Sequence, residues 1–162
     1  MLFRSSSGFQ SAQFRQLEFA LGNKNPKFLE YFKNDNASQA ELKRLLALPS
    51  LYDVFLNFLH HSGYSIPESI LQRDFRLPLE PSKLVQDHLV QIYEKNPEIT
   101  EICEYLVDVD EGLQEWRYRH VKMVERTIGA KIGTGGSAGA DYLRRTLFKP
   151  LFPDLWIVRT RL

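Results

Sequence analysis

Residues 98–128 read EITEICEYLVDVDEGLQEWRYRHVKMVERTI, and their spacing of apolar residues decides the fold. Nine positions in this stretch follow one another at alternating intervals of three and four residues, which places them along one side of an α-helix. They are Ile99, Ile102, Leu106, Val109, Leu113, Trp116, His120, Met123 and Thr127. All but two of them are clearly apolar, so the pattern predicts one long helix from about Glu98 to Ile128 that buries this side.

His120 is the polar residue inside that apolar series, between Trp116 and Met123. A buried imidazole needs partners for its nitrogens. One interpretation is a core histidine bonded to a carbonyl or a water. The other is an axial ligand to a haem iron, which requires a neutral imidazole nitrogen directed into an apolar slot and a partner for the other nitrogen. Periodicity alone leaves both interpretations open.

The helical period continues outside this segment, and little of the chain alternates with the period of two that is typical of strands. Prolines, glycines and capping residues divide the rest into shorter predicted helices. These are a helix at about 7–21, a short one after Asn25-Pro26, a third capped by Asn36 or Ser38, a fourth from Pro49-Ser50 to Gly63, one turn within a loop at 64–80, a helix at Leu84–Tyr93 and a short one at about 139–147. Since no repeat or low-complexity linker interrupts the series, we predict a single all-α domain over residues 1–162.

A glycine-rich loop follows the long helix. Residues 129–139, GAKIGTGGSAG, hold five of the nine glycines of the chain. One interpretation is a helix end and a connector. The other is a ligand loop, because glycines let backbone amides approach an anion closely and Thr134 adds a hydroxyl. The pattern is neither a Walker loop nor a dinucleotide fingerprint, and an amino-acid headgroup fits it better than a nucleotide.

Composition excludes several classes of protein. The formal net charge is +1, with no basic tail or basic stripe, which argues against nucleic-acid binding. Cys103 is the single cysteine, so neither an intrachain disulfide framework nor a cysteine-based zinc site is possible, and a reducing, cytoplasmic setting fits. The first ten residues have neither the apolar run nor the cleavage site of a signal peptide, and we expect no membrane span.

Several short motifs in order along the chain resemble those of one enzyme family, the tryptophan 2,3-dioxygenases. The resemblance covers nearly the whole sequence, and an ordered set of motifs is far more specific than any one of them. The motifs are Ser7-Gly8-Phe9-Gln10-Ser11, Gln13-Phe14-Arg15 with Glu18, Gly22-Asn23-Lys24-Asn25, Pro49-Ser50-Leu51-Tyr52, Trp116-Arg117-Tyr118-Arg119-His120, Gly133-Thr134-Gly135-Gly136-Ser137 and Phe152-Pro153-Asp154-Leu155-Trp156.

The resemblance implies an all-α, haem-binding dioxygenase domain with one long central helix, a glycine-rich substrate loop, haem b as cofactor and a homotetrameric assembly. It implies insertion of dioxygen across the indole C2–C3 bond of L-tryptophan to give N-formylkynurenine, the first step of the kynurenine pathway. In this family pattern His120 matches the axial ligand of the haem iron. Thr134 and Gly133 match the loop that contacts the ammonium and carboxylate of the substrate, and Ser7 and Gly8 match residues at the haem edge.

The family pattern also carries more chain before Ser7, including a distal histidine, aromatic residues of the indole pocket and an arginine that pairs with the substrate carboxylate. Arg4 lies too near Ser7 to replace that arginine, so we assign no catalytic residue and expect a fragment of the enzyme. Two alternatives follow. One is a non-catalytic haem-binding or helical oligomerisation fragment that lacks the distal half of the site. The other is a structural helical domain in which His120 is an ordinary core residue.

Overall fold

The computed structural model of the chain describes residues 12–128 and 147–162. Within these ranges every regular element is a helix and none is a strand, which confirms the all-α prediction. The α-helices are α1 (Ala12–Leu21), α2 (Asn36–Ala47), α3 (Leu51–His61), α4 (Glu68–Leu71), α5 (Lys83–Lys95), α6 (Pro97–Ile128) and α7 (Pro153–Ile157), and 3₁₀-helices cover Pro26–Phe32 and Val158–Arg161. Residues 139–146 of the short helix expected at 139–147 lie outside the described residues. The extension of a single domain over residues 1–162 stays a prediction.

The helix boundaries follow local side-chain chemistry. The Ser50 hydroxyl accepts a hydrogen bond from the Asp53 backbone amide, and the Asp53 carboxylate accepts one from the Ser50 amide, so a reciprocal capping pair starts α3. Gly63 ends this helix with φ +96°, a conformation in which a side chain would be strained. The predicted cap of α2 was wrong. Asp35 caps this helix by accepting from the Ser38 amide, whereas Asn36 is already its first helical residue.

Three apolar clusters hold the helices together. The largest joins α3, α5, the first half of α6 and the C-terminal segment around Phe152 and Leu155. A second cluster joins α1, the 3₁₀-helix Pro26–Phe32 and α2, and it includes Phe19 of α1 and Phe28 of the 3₁₀-helix. The third connects α1 to the second half of α6, and its members are Phe14, Leu21, Leu113, Val121 and Leu147. This third cluster surrounds the part of α6 that carries His120.

The buried side of α6 differs from the predicted one. Ile99, Leu106, Leu113 and His120 are buried as expected, whereas four other members of the predicted series keep exposures between 37% and 55%. These four are Ile102, Val109, Trp116 and Met123. The helix instead buries the side chains of Cys103, Asp110 and Arg117, which follow one another at seven-residue intervals. Hydrophobic spacing could not reveal this rotation, because two of the buried residues are charged and most of the partners that stabilise them lie far away in sequence.

None of the described helices combines the length and the apolar character that crossing a lipid bilayer requires. The thiol of Cys103 is fully buried in the largest cluster, and burial raises its pKa to about 12. Since the thiolate is the reactive form, the thiol at this position acts as a small apolar core group.

Candidate functional site

His120 lies in the last third of α6 and is buried, with 8% of its surface exposed. Its ring stacks on Trp116, one helical turn earlier, with centroids 5.2 Å apart and planes 14° apart. Phe14 of α1 stacks on Trp116 in turn, at 4.5 Å and 25°. Residues four apart meet on one side of a helix, so the spacing of Trp116 and His120 produces the first contact and the docking of α1 produces the second. The imidazole is therefore one member of a three-ring stack that spans α1 and α6.

Burial lowers the pKa of His120 below the usual 6.5. Removal from water disfavours the charged form, so burial favours the neutral imidazole, which is the form that binds metals. No group of three or more His, Cys, Asp and Glu side chains suited to a metal ion occurs among residues 12–128 and 147–162. A haem iron needs only one imidazole from the protein, so a single buried histidine in an apolar setting such as His120 is compatible with haem ligation.

The helix that carries His120 is anchored to α1 by a buried charge network. The Glu18 carboxylate accepts hydrogen bonds from the guanidinium groups of Arg15 and Arg117, the latter at 3.1 Å, and from the Asn23 amide at 3.0 Å. The side chains of the three charged residues are each at most 3% exposed. Arg117 also donates to the backbone carbonyl of Lys149 at 3.2 Å. Two cations thus share one anion at the junction, and Arg117 ties this junction to the chain beyond the glycine-rich loop.

The turn after α1 is fixed by residues of the Gly22-Asn23-Lys24-Asn25 motif. Gly22 has φ +123°, which only glycine adopts without strain. The Lys24 ammonium is buried and donates to the carbonyls of Leu45 at 2.6 Å and Leu48 at 2.7 Å. These carbonyls belong to the C-terminal end of α2, where a cation is electrostatically favoured. The motif therefore joins α1 to α2 and lets α1 lie against α6.

The C-terminal segment is held by Asp110 of α6, which is fully buried. One carboxylate oxygen accepts from the backbone amides of Leu151 and Phe152, at 2.8 and 3.1 Å, and from the indole N–H of Trp156 at 2.9 Å. The other oxygen accepts from Gln114 at 3.0 Å. A single side chain thus binds the start of the Phe152–Trp156 motif to the middle of α6.

Asp154 of the same motif connects three further parts of the chain. It accepts from the Tyr52 hydroxyl at 3.3 Å, from the Ser82 amide at 2.9 Å and from Gln86 at 2.8 Å. Burial raises its pKa, while these hydrogen bonds act in the opposite direction. Tyr52 also stacks on Phe152 at 5.3 Å, so the Pro49–Tyr52 and Phe152–Trp156 motifs meet in the core. Both motifs contribute side chains to the largest apolar cluster, which also contains the first half of α6.

The described residues contain one of the predicted site residues, His120. The other four, Ser7, Gly8, Gly133 and Thr134, lie outside the described residues. Sequence reasoning missed Asp110 and Arg117, which position α6. Their seven-residue spacing in register with Cys103 places both on one side of the helix, but their charge gave no indication in the sequence that this side is buried.

A surface cleft of about 280 Å³ lies beside the charge network. Its lining includes Gly22, Asn23, Ser50, Arg117 and Lys149, but His120 is not part of it. Arg117 already donates to Glu18 and to the Lys149 carbonyl there. The cleft is therefore separate from the candidate haem ligand.

Comparison with known proteins places these features in one family. A sequence model of tryptophan 2,3-dioxygenase matches residues 81–162, which include α5, α6 and the Phe152–Trp156 motif. Tryptophan 2,3-dioxygenase of Herpetosiphon aurantiacus is 52% identical over 158 residues, covering 98% of this chain and 60% of the relative. The enzymes of Anaeromyxobacter dehalogenans and Myxococcus xanthus are 51% and 49% identical, covering 96% and 98% of this chain. The chain spans 55–60% of the length of these three relatives. It belongs to the tryptophan 2,3-dioxygenase family.

Proposed function

We propose that this chain provides the haem-binding part of an enzyme that opens the indole ring of L-tryptophan with dioxygen to give N-formylkynurenine, with His120 as the residue that would hold the iron of haem b. The observation that carries the proposal is the state of His120, a buried imidazole kept neutral by desolvation and fixed by the Trp116 stack. Family membership supports the reaction. The same membership supports a role in tryptophan catabolism, a homotetramer and a cytoplasmic location.

When bound, the haem iron supplies the redox chemistry that activates dioxygen. The contribution of the chain is to hold its ligand in one orientation and in the neutral form. Trp116 restricts rotation of the His120 ring, and the Glu18–Arg117 contact fixes the position of α6 against α1. Preorganised ligands of this kind bind a metal more tightly than mobile ones, because less freedom is lost on binding.

We propose further that Gly133 and Thr134 contact the amino-acid headgroup of the substrate and that Ser7 and Gly8 line the pocket at the haem edge. The family resemblance supports these four roles. Backbone amides at glycines can bind a carboxylate, and a threonine hydroxyl can accept from an ammonium. Fixing the headgroup orients the indole relative to the cofactor and so promotes ring attack by proximity.

The first test is a haemin titration followed by absorption spectroscopy. Wild type is compared with His120→Ala and with His61→Ala, a control at an exposed histidine. We expect wild type and the control to give the same Soret band at one haem per chain, and His120→Ala to lose it. Equal binding by all three proteins would overturn the ligand assignment.

L-Tryptophan is then added to the haem-loaded proteins. We expect a spectral shift in wild type that is weakened in Thr134→Val, because valine keeps the shape of threonine and removes its hydroxyl. Haem binding without any response to tryptophan would contradict the substrate-binding part of the proposal. It would favour a haem-binding module without catalytic function.

A further inference from the structure

The surface cleft of about 280 Å³ beside the charge network takes no part in the proposed function. We call it the proline cleft, because Pro78, Pro81, Pro150 and Pro153 all line it. Further apolar and polar surface comes from Gly22, Asn23, Ser50, Tyr52, Leu79, Glu80, Arg117, Lys149 and Leu151. Pockets for drug-sized ligands usually measure about 300–1,000 Å³, so this cleft suits a smaller molecule. Its size therefore favours a ligand with a single ring over a nucleotide.

Two cationic residues lie side by side in the lining of this cleft. Arg117 is buried, with 2% of its surface exposed, whereas Lys149 is exposed. The Nη1 group of Arg117 donates to the Lys149 backbone carbonyl at 3.2 Å, which fixes the two residues beside each other. Asn23 belongs to the same group, because it and Arg117 both donate to the Glu18 carboxylate. The polar part of the lining is thus concentrated in one place.

Arg117 has a hydrogen-bond donor that the described chain does not use. Nη1 donates to the Lys149 carbonyl and Nη2 donates to Glu18. The Nε atom is buried and has no hydrogen-bond partner within residues 12–128 and 147–162. Leaving a buried donor unsatisfied costs free energy, so such a group calls for an explanation. An anion bound in the cleft that Arg117 lines would supply the missing acceptor.

The charges around the cleft also favour an anion. Glu18 already offsets the charge of Arg117. The Lys149 ammonium forms no ion pair within the described parts of the chain, so its charge is available to a ligand. Glu80 opposes it as the acidic residue among the described lining, and its side chain is exposed to the screening of water. Lys149 can therefore attract a negative group, and Arg117 can fix its position.

We propose that the proline cleft binds a small organic anion, a monocarboxylate with one apolar ring. The Lys149 ammonium pairs with the carboxylate, and the Arg117 Nε–H group donates to it, as charge-assisted hydrogen bonds are stronger than neutral ones. The proline and leucine side chains cover the ring and remove its apolar surface from water. His120 does not line this cleft, so the proposal is independent of haem binding and of the proposed reaction.

Benzoate is the probe, and two-dimensional ¹H–¹⁵N NMR of the 162-residue chain locates its binding. Gly22 and Gly63 are matched reporters, because both are turn glycines with a positive φ and only Gly22 lines the cleft. We expect benzoate to shift the Gly22 amide signal saturably and to leave the Gly63 signal unchanged. The absence of a saturable shift at Gly22, or equal shifts at both glycines, would overturn the proposal.

Two related probes separate the charge from the ring. Benzamide has nearly the same shape as benzoate but no charge, so it should bind at least about tenfold more weakly. Acetate keeps the charge and lacks the ring, so it should also bind more weakly than benzoate. Benzamide binding as tightly as benzoate would refute the role of the cations. Acetate binding as tightly as benzoate would show an adventitious ion only and refute the role of the apolar walls.

Variants of Lys149 test the residue assignment. Lys149→Met removes the ammonium and keeps an unbranched side chain, so we expect the affinity for benzoate to fall about three- to fivefold, the range of an exposed ion pair. Lys149→Arg retains the charge and should bind benzoate nearly as wild type does, whereas Glu80→Gln removes the opposing carboxylate and should bind it more tightly. The control, Lys33→Met, changes an exposed lysine outside the lining and should leave the affinity unchanged. Equal affinity of Lys149→Met and Lys33→Met for benzoate would show that the assigned site is wrong.

Discussion

Replacement of Glu18 by glutamine isolates the contribution of the charge network to stability. Glutamine has nearly the same shape as glutamate, so the packing of α1 against α6 is retained. The negative charge of Glu18 is lost, and the guanidinium groups of Arg15 and Arg117 remain buried beside a neutral amide whose N–H groups cannot accept from them.

The magnitude follows from burial. Both arginine side chains are at most 3% exposed, so water cannot replace the missing carboxylate without opening the junction. Removing one member of a buried ion pair costs about 3–5 kcal/mol, because an uncompensated charge is left in the interior. A domain of this size has about 5–15 kcal/mol of stability in total, so we expect Glu18→Gln to lose about a fifth of it or more. The Phe28 ring, 3.7 Å from the Arg15 guanidinium, offsets only part of this loss.

Urea unfolding followed by far-ultraviolet circular dichroism measures the loss. Glu41→Gln is the matched control, because Glu41 pairs with Arg44 at the same three-residue spacing but in solvent. An exposed pair contributes little, so the control should unfold close to wild type. If Glu18→Gln loses no more stability than Glu41→Gln, the network does not hold α1 to α6 and the account of the junction given above is wrong.

Three further predictions concern α6. Asp110→Ala leaves the Leu151 and Phe152 amides and the Trp156 indole without their acceptor. Each buried unsatisfied group costs about 1–3 kcal/mol, so we expect the free energy of unfolding in urea to fall by at least about 3 kcal/mol. Glu111→Ala, the exposed neighbour, serves as its control, and equal losses would refute the assignment. Gly112→Ala should raise the stability of the chain by about 0.5–1 kcal/mol, since no described atom obstructs the new methyl group. A lowered melting temperature would contradict this prediction. The pKa of His120 in the folded chain lies below its unfolded value of 6.5, so the unfolded chain binds the proton first as pH falls. The stability of wild type relative to His120→Gln should therefore decrease below about pH 6.5. Parallel pH profiles of stability for the two proteins would contradict the lowered pKa.

The local elements were predictable because their signals are local. Ser50 and Gly63 bracket α3 by capping and by a positive φ, and both signals lie within a few residues of the helix they delimit. The long helix was predictable from its period over 31 residues. The cap of α2 was misassigned because three residues within four positions, Asp35, Asn36 and Ser38, can all act as caps, and only the backbone geometry decides among them.

The rotation of the buried side of α6 could not be predicted from apolar spacing. Asp110 and Arg117 are charged residues of the kind that usually face solvent. They are buried because Leu151, Trp156 and Glu18 satisfy them from 41 to 99 residues away in sequence. Such partners carry no periodic signal. The same difference holds for the candidate site. His120 could be identified from its position in the predicted helix, whereas the charge network that orients this helix could be identified only from the folded structure.

The hydrogen bond between Arg117 and Glu18 joins residues 99 positions apart, and Arg117 also reaches the carbonyl of Lys149. Contacts between such distant positions form late, because a long loop must close before they are made. During synthesis the segment around Glu18 leaves the ribosome long before residues 117 and 149 do. The junction that positions the His120 segment of α6 is therefore completed only after the segment around Lys149 has been synthesised, so this part of the helix gains its final position against α1 late in folding.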